Sequence, residues 1–431
     1  MNYLILAVFI ASYLLFFLFP KHRHKVAVVS VILLFLFGWF SGKFLPVRIV
    51  RAVNWNVMGI FVGTLVLADL FTYSRTPAVL AESLVNRASS AGLAILFICI
   101  LSSAISAFVE NVATVLIVAP VAFAVCERVK INPSLPIIGI AISSNLQGTA
   151  TLIGDPPSML LAGYAKMGFN DFFIYRGRPG IFFAVQIGAV FSFLALWLIF
   201  RKYKQNVQVV KVEKVKVWTP VFLLTAMVVL LAFSSLIDPG FGFAAGMICM
   251  ILAAAGIAWY VFLEKGKSGP LLKNLDWQTA IFLMGIFILV GGLEAFGWID
   301  RTAEGLGRLI GRNRLLAFFV IVSGSVMISA FVDNVPYLAA MIPVAQRLAD
   351  GLGHATGAGA SDRSLLLFGL LIGSCLGGNI TPVGASANIV GVGLLKKRGY
   401  VVTFREFVGV GLPFTLAAIV PSAVFLWLIW S

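Results

Sequence analysis

Two interrupted apolar stretches hold the side chains of this chain that are best suited to bind an ion. The stretch GTATLIGDPP at 148–157 combines two glycines, two threonines, two prolines and a single acid, Asp155, between apolar segments. The stretch GNITPVGASAN at 378–388 repeats this pattern with Asn, Thr and Ser side chains. Neutral side-chain oxygens suit a hard cation or an oxyacid. The two stretches therefore predict a binding site for a small inorganic ion or oxyacid.

Three acids are expected at this site, and the motifs that carry them contain no Lys or Arg. Glu110 lies in ISAFVEN at 105–111, and Asp333 lies in the matching ISAFVDN at 328–334. A charged residue in the middle of a membrane helix costs about 2.5–3.5 kcal/mol on insertion scales, so it is expected to have a function. Carboxylates that repel one another gain from binding a proton or Na⁺. We predict Glu110, Asp155 and Asp333 as coupling carboxylates, with H⁺ or Na⁺ as the coupling ion and no other cofactor.

Neutral side chains of the same motifs complete the predicted site. They are amides and hydroxyls that would face a cavity at the middle of the membrane, and Na⁺ is the only metal ion expected among them. The predicted substrate- or ion-binding residues are Asn111, Thr114, Asn145, Thr149, Thr151, Asn334, Asn379, Thr381, Ser386 and Asn388.

Several of these residues have a purely structural alternative. Asp155 is followed by Pro156, which is the pattern of a helix N-cap and a first helical position, and Ser386 is expected to take the same part in the second stretch. Asn111 and Asn334 are suited to cap the helices that they precede. A cap and a ligand are compatible, so both interpretations stay open.

The elements that position these residues are membrane helices. The chain has 431 residues, of which 60% are hydrophobic and 11% are charged, against roughly 25% charged residues in a soluble domain. The mean hydropathy is +1.02, and repeated apolar runs of about 18 to 22 residues fit bilayer-spanning helices. The net charge of +15 comes from Lys and Arg in short loops, which indicates the positive-inside rule and not a nucleic-acid partner.

An internal repeat divides the chain into two halves. Residues 1–200 and 217–431 are predicted to be the repeats, joined by a basic cytoplasmic linker at 201–216. In each half we expect scaffold helices, an amphipathic segment, a re-entrant hairpin with its E/D-N pair at the tip, a broken helix and a closing helix. The predicted bounds are 2–74, 75–90, 91–127, 134–166 and 178–200 in the first half, and 217–297, 300–314, 315–349, 364–395 and 406–430 in the second.

The two repeats are expected to have inverted topologies. Each half would cross the membrane an odd number of times, which gives about ten transmembrane helices, two re-entrant hairpins and two broken helices in an all-α protein. The bias of Lys and Arg predicts a multi-pass protein of the cell (inner) membrane with both termini outside. Broken helices at corresponding positions of inverted repeats are typical of the midplane site of a secondary transporter.

Enzymatic chemistry is not expected. The histidines lie in loops and the cysteines are isolated in apolar runs without metal-ligand spacing, and neither an H-E-x-x-H motif nor a G-x-G-D pair is present. Two further acids are expected near helix ends in solvated positions. The histidines are His22, His24 and His354, and the cysteines are Cys99, Cys126, Cys249 and Cys375. The two acids are Asp69 and Glu294. A passive ion channel on the same fold remains an alternative to a transporter.

Four motifs resemble the signatures of the ion transporter superfamily: SAFVENVATVLIVAP, GTATLIGDPP, SAFVDNVPYLAAMIP and GGNITPVGASAN. The resemblance covers nearly the whole chain and is strongest to the arsenite-permease branch, with the arsenite-efflux permease ArsB, the sodium/proton antiporter NhaD and the melanosomal P protein. The more distant dicarboxylate/sodium symporters carry Ser-Asn-Thr at the hairpin tips. Here Glu110-Asn111-Val112 and Asp333-Asn334-Val335 stand there, which argues against dicarboxylate transport.

The resemblance implies an elevator-type transporter. In that scheme a transport part, here about 91–200 and 315–431, moves against a scaffold of the remaining helices, which would also form a homodimer contact. The expected function is arsenite-like anion export or Na⁺/H⁺ antiport, coupled to H⁺ or Na⁺, within a lipid bilayer. A sodium-coupled anion or carboxylate symporter is the alternative, and no feature indicates a soluble ATPase partner.

Overall fold

The computed structural model describes residues 2–40, 46–206, 212, 214–356 and 359–431. The end of the predicted second helix, at 41–45, lies outside the described residues, as do 207–211 and 213 of the predicted linker. The side chain of His354, for which no role is expected, also lies outside them.

The described residues of the first half form ten α-helices and one small β-hairpin. Short 3₁₀ segments lie at Pro20–His22 and Phe169–Phe172, and strands β1 (Ile174–Tyr175) and β2 (Arg178–Pro179) pair antiparallel. The helices are α1 (Asn2–Leu18), α2 (Arg23–Phe40), α3 (Pro46–Ala52), α4 (Trp55–Tyr73), α5 (Thr76–Val85), α6 (Ala91–Ser106), α7 (Asn111–Arg128), α8 (Ser134–Gly148), α9 (Pro156–Ala165) and α10 (Ile181–Phe200).

The second half repeats this order, again with ten helices in the described residues. A 3₁₀ segment at Gly378–Ile380 extends the eighth of them. The helices are α11 (Thr219–Ile237), α12 (Ala244–Phe262), α13 (Ser268–Asn274), α14 (Trp277–Ala295), α15 (Trp298–Ile310), α16 (Arg314–Ser329), α17 (Asn334–Thr356), α18 (Gly359–Gly377), α19 (Ser386–Lys397) and α20 (Phe404–Trp430).

The fold class predicted from the sequence is confirmed. Nine helices of the described chain are long and apolar enough to cross a membrane, and shorter apolar helices accompany them. Many large apolar side chains of these helices are exposed, for example Val190 at 69% and Phe222 at 68%. Outward-facing apolar side chains at this density are expected of helices that face lipid. The protein is therefore an all-α, polytopic membrane protein built from two repeats.

The two halves pack against each other through two helix pairs, and each pair has one helix from each half. Helix α4 packs against α12, and its counterpart α14 packs against α2. Small residues permit both contacts: a Cβ at Gly63 would lie 2.6 Å from Cys249, and one at Gly285 would lie 2.8 Å from the Cβ of Ala27. Close backbone approach at small residues is how membrane helices gain packing energy without a hydrophobic driving force. The closing helices α10 and α20 also pack against each other.

Both helices of each hairpin pack against the first arm of the broken helix in the same half. Helices α6 and α7 both contact α8, and α16 and α17 both contact α18. The outer arms begin with side-chain caps, since Ser90 accepts a hydrogen bond from the amide of Leu93 and Asn313 accepts one from Leu316. Such caps satisfy amides that the first helical turn leaves free.

The element bounds differ from the predicted ones in a few places. The short helix α3 was not predicted, because seven residues with two arginines carry little helical periodicity. The closing helix of the first half begins at Ile181 and not at 178, because Arg178 and Pro179 belong to the β-hairpin. The second broken helix begins at Gly359 and not at 364. The division into repeats at 1–200, 201–216 and 217–431 stays a prediction.

One acid outside the spans stabilises the start of a helix. Asp238 lies between α11 and α12, where its carboxylate accepts hydrogen bonds from the amides of Gly242 (2.9 Å), Phe243 (2.7 Å) and Ala244 (2.9 Å). These amide donors favour the ionised carboxylate and lower the pKa of Asp238 below its ordinary value of 3.8. The stabilisation is therefore present above pH 3.8 and is lost as the pH falls through the lowered value.

Asp238→Asn is expected to lower the thermal midpoint of the purified protein at pH 7. At a pH well below 3.8 the difference from the unaltered protein should vanish, because Asp238 is then protonated in both the folded and the unfolded chain. Thermal unfolding followed at both pH values measures this. Glu304→Gln, on the exposed face of α15, is the control and should change the midpoint at neither pH. An equal loss at both pH values would show that the charge of Asp238 is not what stabilises α12.

Candidate functional site

The first broken helix is interrupted where the sequence predicts it. Helix α8 ends at Gly148 and α9 begins at Pro156, with Asp155 in extended geometry (φ −153°, ψ 147°) just before it. Gly154 packs closely against the backbone of Gly148 and Ser106. A Cβ at Gly154 would be 2.6 Å from the carbonyl oxygen of Gly148 and 2.8 Å from that of Ser106. The interruption is fully buried, so it faces protein and not lipid, as a broken membrane helix requires.

The second broken helix has the same local geometry. A Cβ at Gly384 would lie 2.6 Å from the carbonyl oxygen of Gly378 and 2.8 Å from that of Ala330. The hydroxyl of Thr381 donates to the carbonyl of Ala330, as the hydroxyl of Thr151 donates to the carbonyl of Ala107 in the first half. In both halves a threonine hydroxyl of the interruption is thus hydrogen-bonded to the backbone at the tip of the neighbouring hairpin.

A chain of amide side chains joins the two interruptions. Asn111 donates through Nδ2 to Oδ1 of Asn145 at 2.7 Å. Asn145 in turn donates to Oδ1 of Asn379 at 2.8 Å and to Oδ1 of Asn388 at 3.2 Å. Asn388 donates to the carbonyls of Gly378 and Thr381 at 2.9 and 3.0 Å. The structure therefore brings a hairpin residue of the first half and broken-helix residues of both halves into one buried site.

Asp155 lies at one end of this amide chain. It is 3% exposed, and its Oδ2 accepts a hydrogen bond of 3.2 Å from Nδ2 of Asn111. Asp155 occupies the predicted N-cap position of α9, but its side chain makes no capping hydrogen bond. Helix capping alone therefore does not account for Asp155. A buried carboxylate that contacts a neutral amide keeps its charge only at a large desolvation cost, which binding of a proton or a cation removes.

The hairpin tips are capped by the acids and not by the asparagines, which corrects one expectation. Glu110 accepts a hydrogen bond of 3.0 Å from the amide of Ala113, and Asp333 accepts one of 3.0 Å from the amide of Val335. Asn111 and Asn334 are the first helical residues and are buried, at 3% and 5% exposure. The prediction placed the cap one residue too late, because Asn and Asp are preferred N-cap residues whereas Glu is not among them.

The expected absence of a base at the site is wrong. Arg23, at the start of α2, forms an ion pair of 2.7 Å with Asp333 and donates to the hydroxyl of Ser386 at 3.1 Å. Sequence reasoning placed Arg23 in a cytoplasmic loop with its basic neighbours Lys21 and Lys25. Its position at the helix start, with an apolar segment following, was the one available signal.

Two further predicted ligands, Thr114 and Thr149, bond to the backbone, whereas Ser386 contacts the side chains of Arg23 and Asp333. Thr114 donates to carbonyls of its own helix start, and Thr149 donates to the carbonyl of Asn145 at 3.1 Å. Ser386 is the first residue of α19, and Ala385 takes the N-cap position, so the predicted cap role of Ser386 is wrong. The repeat aligns Asp155 with Ala385, so the second half carries no equivalent acid.

Sequence reasoning missed two serines of the site. Ser158 donates to the carbonyls of Gly148 and Thr149 at 3.3 Å each, as its counterpart Asn388 bonds to the second interruption. Ser106 is fully buried beside Gly148. The repeat alignment of 158 with 388 was the signal for the first, and no signal pointed to the second.

Buried polar atoms without a hydrogen-bond partner mark the site within the described residues. They include Oδ1 of Asn111, Nδ2 of Asn379 and Oγ of Ser106. An unpaired buried polar group costs about 1–3 kcal/mol, so such groups are retained where a ligand, an ion or water satisfies them. The site thus offers a free acceptor at Asn111, a free donor at Asn379 and a free hydroxyl at Ser106.

Two cavities lie where α4 and α14 meet hairpin or broken-helix segments, and one of them includes Glu110 of the predicted site. A cavity of about 220 Å³ is lined by Asp69, Glu110 and Asp276. A second, of about 460 Å³, is lined by Asn54 and Glu294 among others. Asp69 and Glu294, expected in solvated positions, thus each line a cavity.

The sequence profile of the CitMHS family, described as citrate transporter, matches residues 13–361. The chain belongs to this citrate transporter family. The resemblance to the ion transporter superfamily is thereby confirmed.

Two bacterial relatives match this CitMHS protein over most of their length, and a human relative matches it over less than half of its own length. An uncharacterized transporter of Mycobacterium tuberculosis is 29% identical over 435 residues, covering 99% of each chain. An uncharacterized transporter of Synechocystis is 25% identical over 393 residues, covering 88% of this chain and 87% of the relative. The human P protein is 25% identical over 400 residues, covering 74% of this chain and 46% of the P protein.

One solved structure shares the fold of the CitMHS protein. The YdaH transporter of Alcanivorax borkumensis aligns with a TM-score of 0.59 at 15% identity, over 91% of this chain and 87% of that one. At this identity the likeness concerns the fold alone. Together with the family match it establishes a multi-pass membrane transporter.

Proposed function

We propose that this CitMHS protein is a secondary active transporter of a small inorganic ion or oxyacid, coupled to H⁺ or Na⁺. The observation that carries the proposal is Asp155, a buried carboxylate at the junction of a broken helix that contacts the amide of Asn111. Export of an arsenite-like anion and Na⁺/H⁺ antiport both fit this site. A proton or Na⁺ on Asp155 would supply the coupling.

The amide chain supports the assignment of the binding residues. Hydrogen bonds join Asn111 to Asn145, and Asn145 to both Asn379 and Asn388 in the other half. Each of these amides carries one acceptor atom and two donor hydrogens. Such side chains can rotate to present oxygen to a cation or N–H groups to an oxyanion. The unpaired atoms of Asn111 and Asn379 are the ones a bound solute would satisfy.

A second candidate is cation-coupled transport of a carboxylate such as citrate. Arg23 favours it, because its guanidinium lies within hydrogen-bond distance of Asp333 and Ser386 and guanidinium groups bind carboxylates through two parallel hydrogen bonds. The family description, citrate transporter, agrees with this chemistry. The hairpin tips argue instead for a small inorganic ion or oxyacid, because they lack the Ser-Asn-Thr of the dicarboxylate symporters. They read Glu110-Asn111-Val112 and Asp333-Asn334-Val335.

The proposed mechanism is of the elevator type. Residues of about 91–200 and 315–431 would move together against the other helices, which would also carry a homodimer contact. Both termini would lie outside the inner membrane, as the distribution of Lys and Arg favours. Movement of a fixed site between two faces needs two alternative sets of contacts between the parts.

Flux into proteoliposomes under imposed gradients tests the proposal. Radiolabelled arsenite, citrate and ²²Na⁺ are each offered with a pH gradient, a Na⁺ gradient or neither, at zero membrane potential. We expect at least one solute to accumulate above equilibrium when one gradient is imposed and to equilibrate without it. Flux that responds to neither gradient, with steady current in electrical recordings, would instead establish a passive channel.

A further inference from the structure

Arg23 connects four helical elements that belong to the two proposed parts of the protein. Its guanidinium donates to Thr279 of α14 at 3.0 Å and lies over the ring of Phe282, 4.9 Å from the ring centre. It also donates to Asp333 at 2.7 Å and to Ser386 at 3.1 Å. Helices α2 and α14 belong to the scaffold, whereas Asp333 and Ser386 belong to the transport part.

The contact is largely shielded from solvent and well formed. The side chains of Arg23 and Asp333 are 18% and 20% exposed, and the hydroxyl of Ser386 also lies 3.5 Å from the carboxylate of Asp333. Helix α1 adds a neighbouring contact, since the hydroxyl of Tyr13 donates to the carbonyl of Pro336 at 2.7 Å. A partly buried, hydrogen-bonded charge pair contributes more than an exposed one, and removal of one partner leaves the other charge uncompensated.

Within the described residues, the first half shows no ion pair equivalent to that of Arg23 and Asp333. Helix α12 corresponds to α2 in the repeat, and the sequence of α12, AAGMICMILAAAGIAWYVF, contains no charged residue. Glu110 corresponds to Asp333, and its described hydrogen bond goes to the amide of Ala113. The ion pair of Arg23 is therefore made with the hairpin of the second half.

We propose that Arg23 is a positioning residue that holds the transport part against the scaffold in the described state and releases Asp333 in each transport cycle. This inference rests on the proposed elevator-type function. A cation or proton that neutralises the carboxylate of Asp333 would remove the charge that Arg23 pairs with, and so would allow the hairpin to leave. Arg23 thereby links the occupancy of the site to the position of the transport part.

A contact far from Arg23 can report the state of the protein. Gly168 follows α9 in the transport part, and a Cβ built there would lie 3.6 Å from the Cβ of Ser235 on scaffold helix α11. This separation is within the range of a disulfide. The pair Gly168→Cys and Ser235→Cys, with Cys99, Cys126, Cys249 and Cys375 replaced by serine, should therefore cross-link in the described state and not when the parts have moved.

The experiment compares the cross-linking rate in proteoliposomes with and without changes at Arg23. We expect Arg23→Gln to lower the rate about tenfold, the size expected when two contacting charged groups are uncoupled. Asp333→Asn should lower it similarly, and the double variant should fall no further than either. Arg23→Lys keeps the charge and should retain most of the rate. Lys21→Gln, which removes a charge from the same segment, should change nothing.

Two outcomes would overturn the inference. One is an Arg23→Gln protein that cross-links at the rate of the unaltered protein, and the other is additive effects of Arg23→Gln and Asp333→Asn. Thermal unfolding of each variant separates a shift of state from loss of the fold, and Arg23→Lys provides the folded comparison should Arg23→Gln unfold. Gradient-driven flux of the unaltered protein is measured alongside, so failure of the proposed function is seen independently of the cross-link.

Discussion

Asp155→Asn is expected to reduce gradient-driven flux about 100-fold, because a charge-assisted contact contributes about 1.5–3 kcal/mol and each 1.4 kcal/mol is a factor of ten. The amide has nearly the same shape and can keep a hydrogen bond to Asn111, which now lies 3.2 Å from the carboxylate. It can neither take up a proton nor balance the charge of Na⁺. The loss should therefore concern coupling and not folding.

The measurement is initial solute uptake into proteoliposomes under the gradient that drives the unaltered protein. Glu304→Gln is the matched control: it likewise replaces a carboxylate by its amide, at an acid that is 67% exposed on α15 and pairs with Arg308 of the same helix. Its flux should stay unchanged. Full coupled flux in Asp155→Asn would assign the coupling to Glu110 or Asp333 and remove Asp155 from the mechanism.

Gly154→Ala is expected to abolish transport and to destabilise the protein. The added Cβ would lie 2.6 Å from the carbonyl oxygen of Gly148 and 2.8 Å from that of Ser106. Because these neighbours are backbone atoms that a rotamer change cannot move, the hairpin tip and the broken helix must separate. Overpacking of this kind costs about 1–3 kcal/mol. Gly384→Ala should behave alike, since its Cβ would meet Gly378 and Ala330 at the same distances.

Thermal midpoints and flux of these variants are compared with Gly324→Ala. A Cβ at Gly324, within α16, would meet no atom within 4 Å, and alanine favours a helix more than glycine does. The control should therefore retain its midpoint and its flux. Equal behaviour of Gly154→Ala and Gly324→Ala would mean that the tight contact between the hairpin and the interruption is not required.

The repeat and its polar interruptions could be predicted because each follows from local chemistry. Glycine, proline and a carboxylate inside an apolar run are costly in lipid, so 148–157 and 378–388 had to face a protected site. The periodicity of apolar residues located the spans in the same way. The β-hairpin at 174–179 was missed because four paired residues leave no periodic pattern.

Contacts between distant segments could not be predicted in this way. Arg23 and Asp333 are separated by more than 300 positions in sequence, and a basic residue beside Lys21 and Lys25 has the pattern of a loop that obeys the positive-inside rule. The link from Asn145 to Asn379 likewise depends on how the two halves meet. Local propensity also indicates the wrong cap for α7, since Asn is a preferred N-cap residue and Glu is not, whereas Glu110 accepts the capping hydrogen bond.

Infrared difference spectroscopy of the carboxyl group of Asp155 tests the central claim most directly. Spectra of the reconstituted protein are recorded with and without Na⁺ and across a pH step, for the unaltered protein and for Asp155→Asn. We predict a carboxyl or carboxylate band that changes with at least one of these ions and is absent from the variant. Identical difference spectra for the two proteins would contradict the assignment of Asp155 as the buried group that takes up the coupling ion.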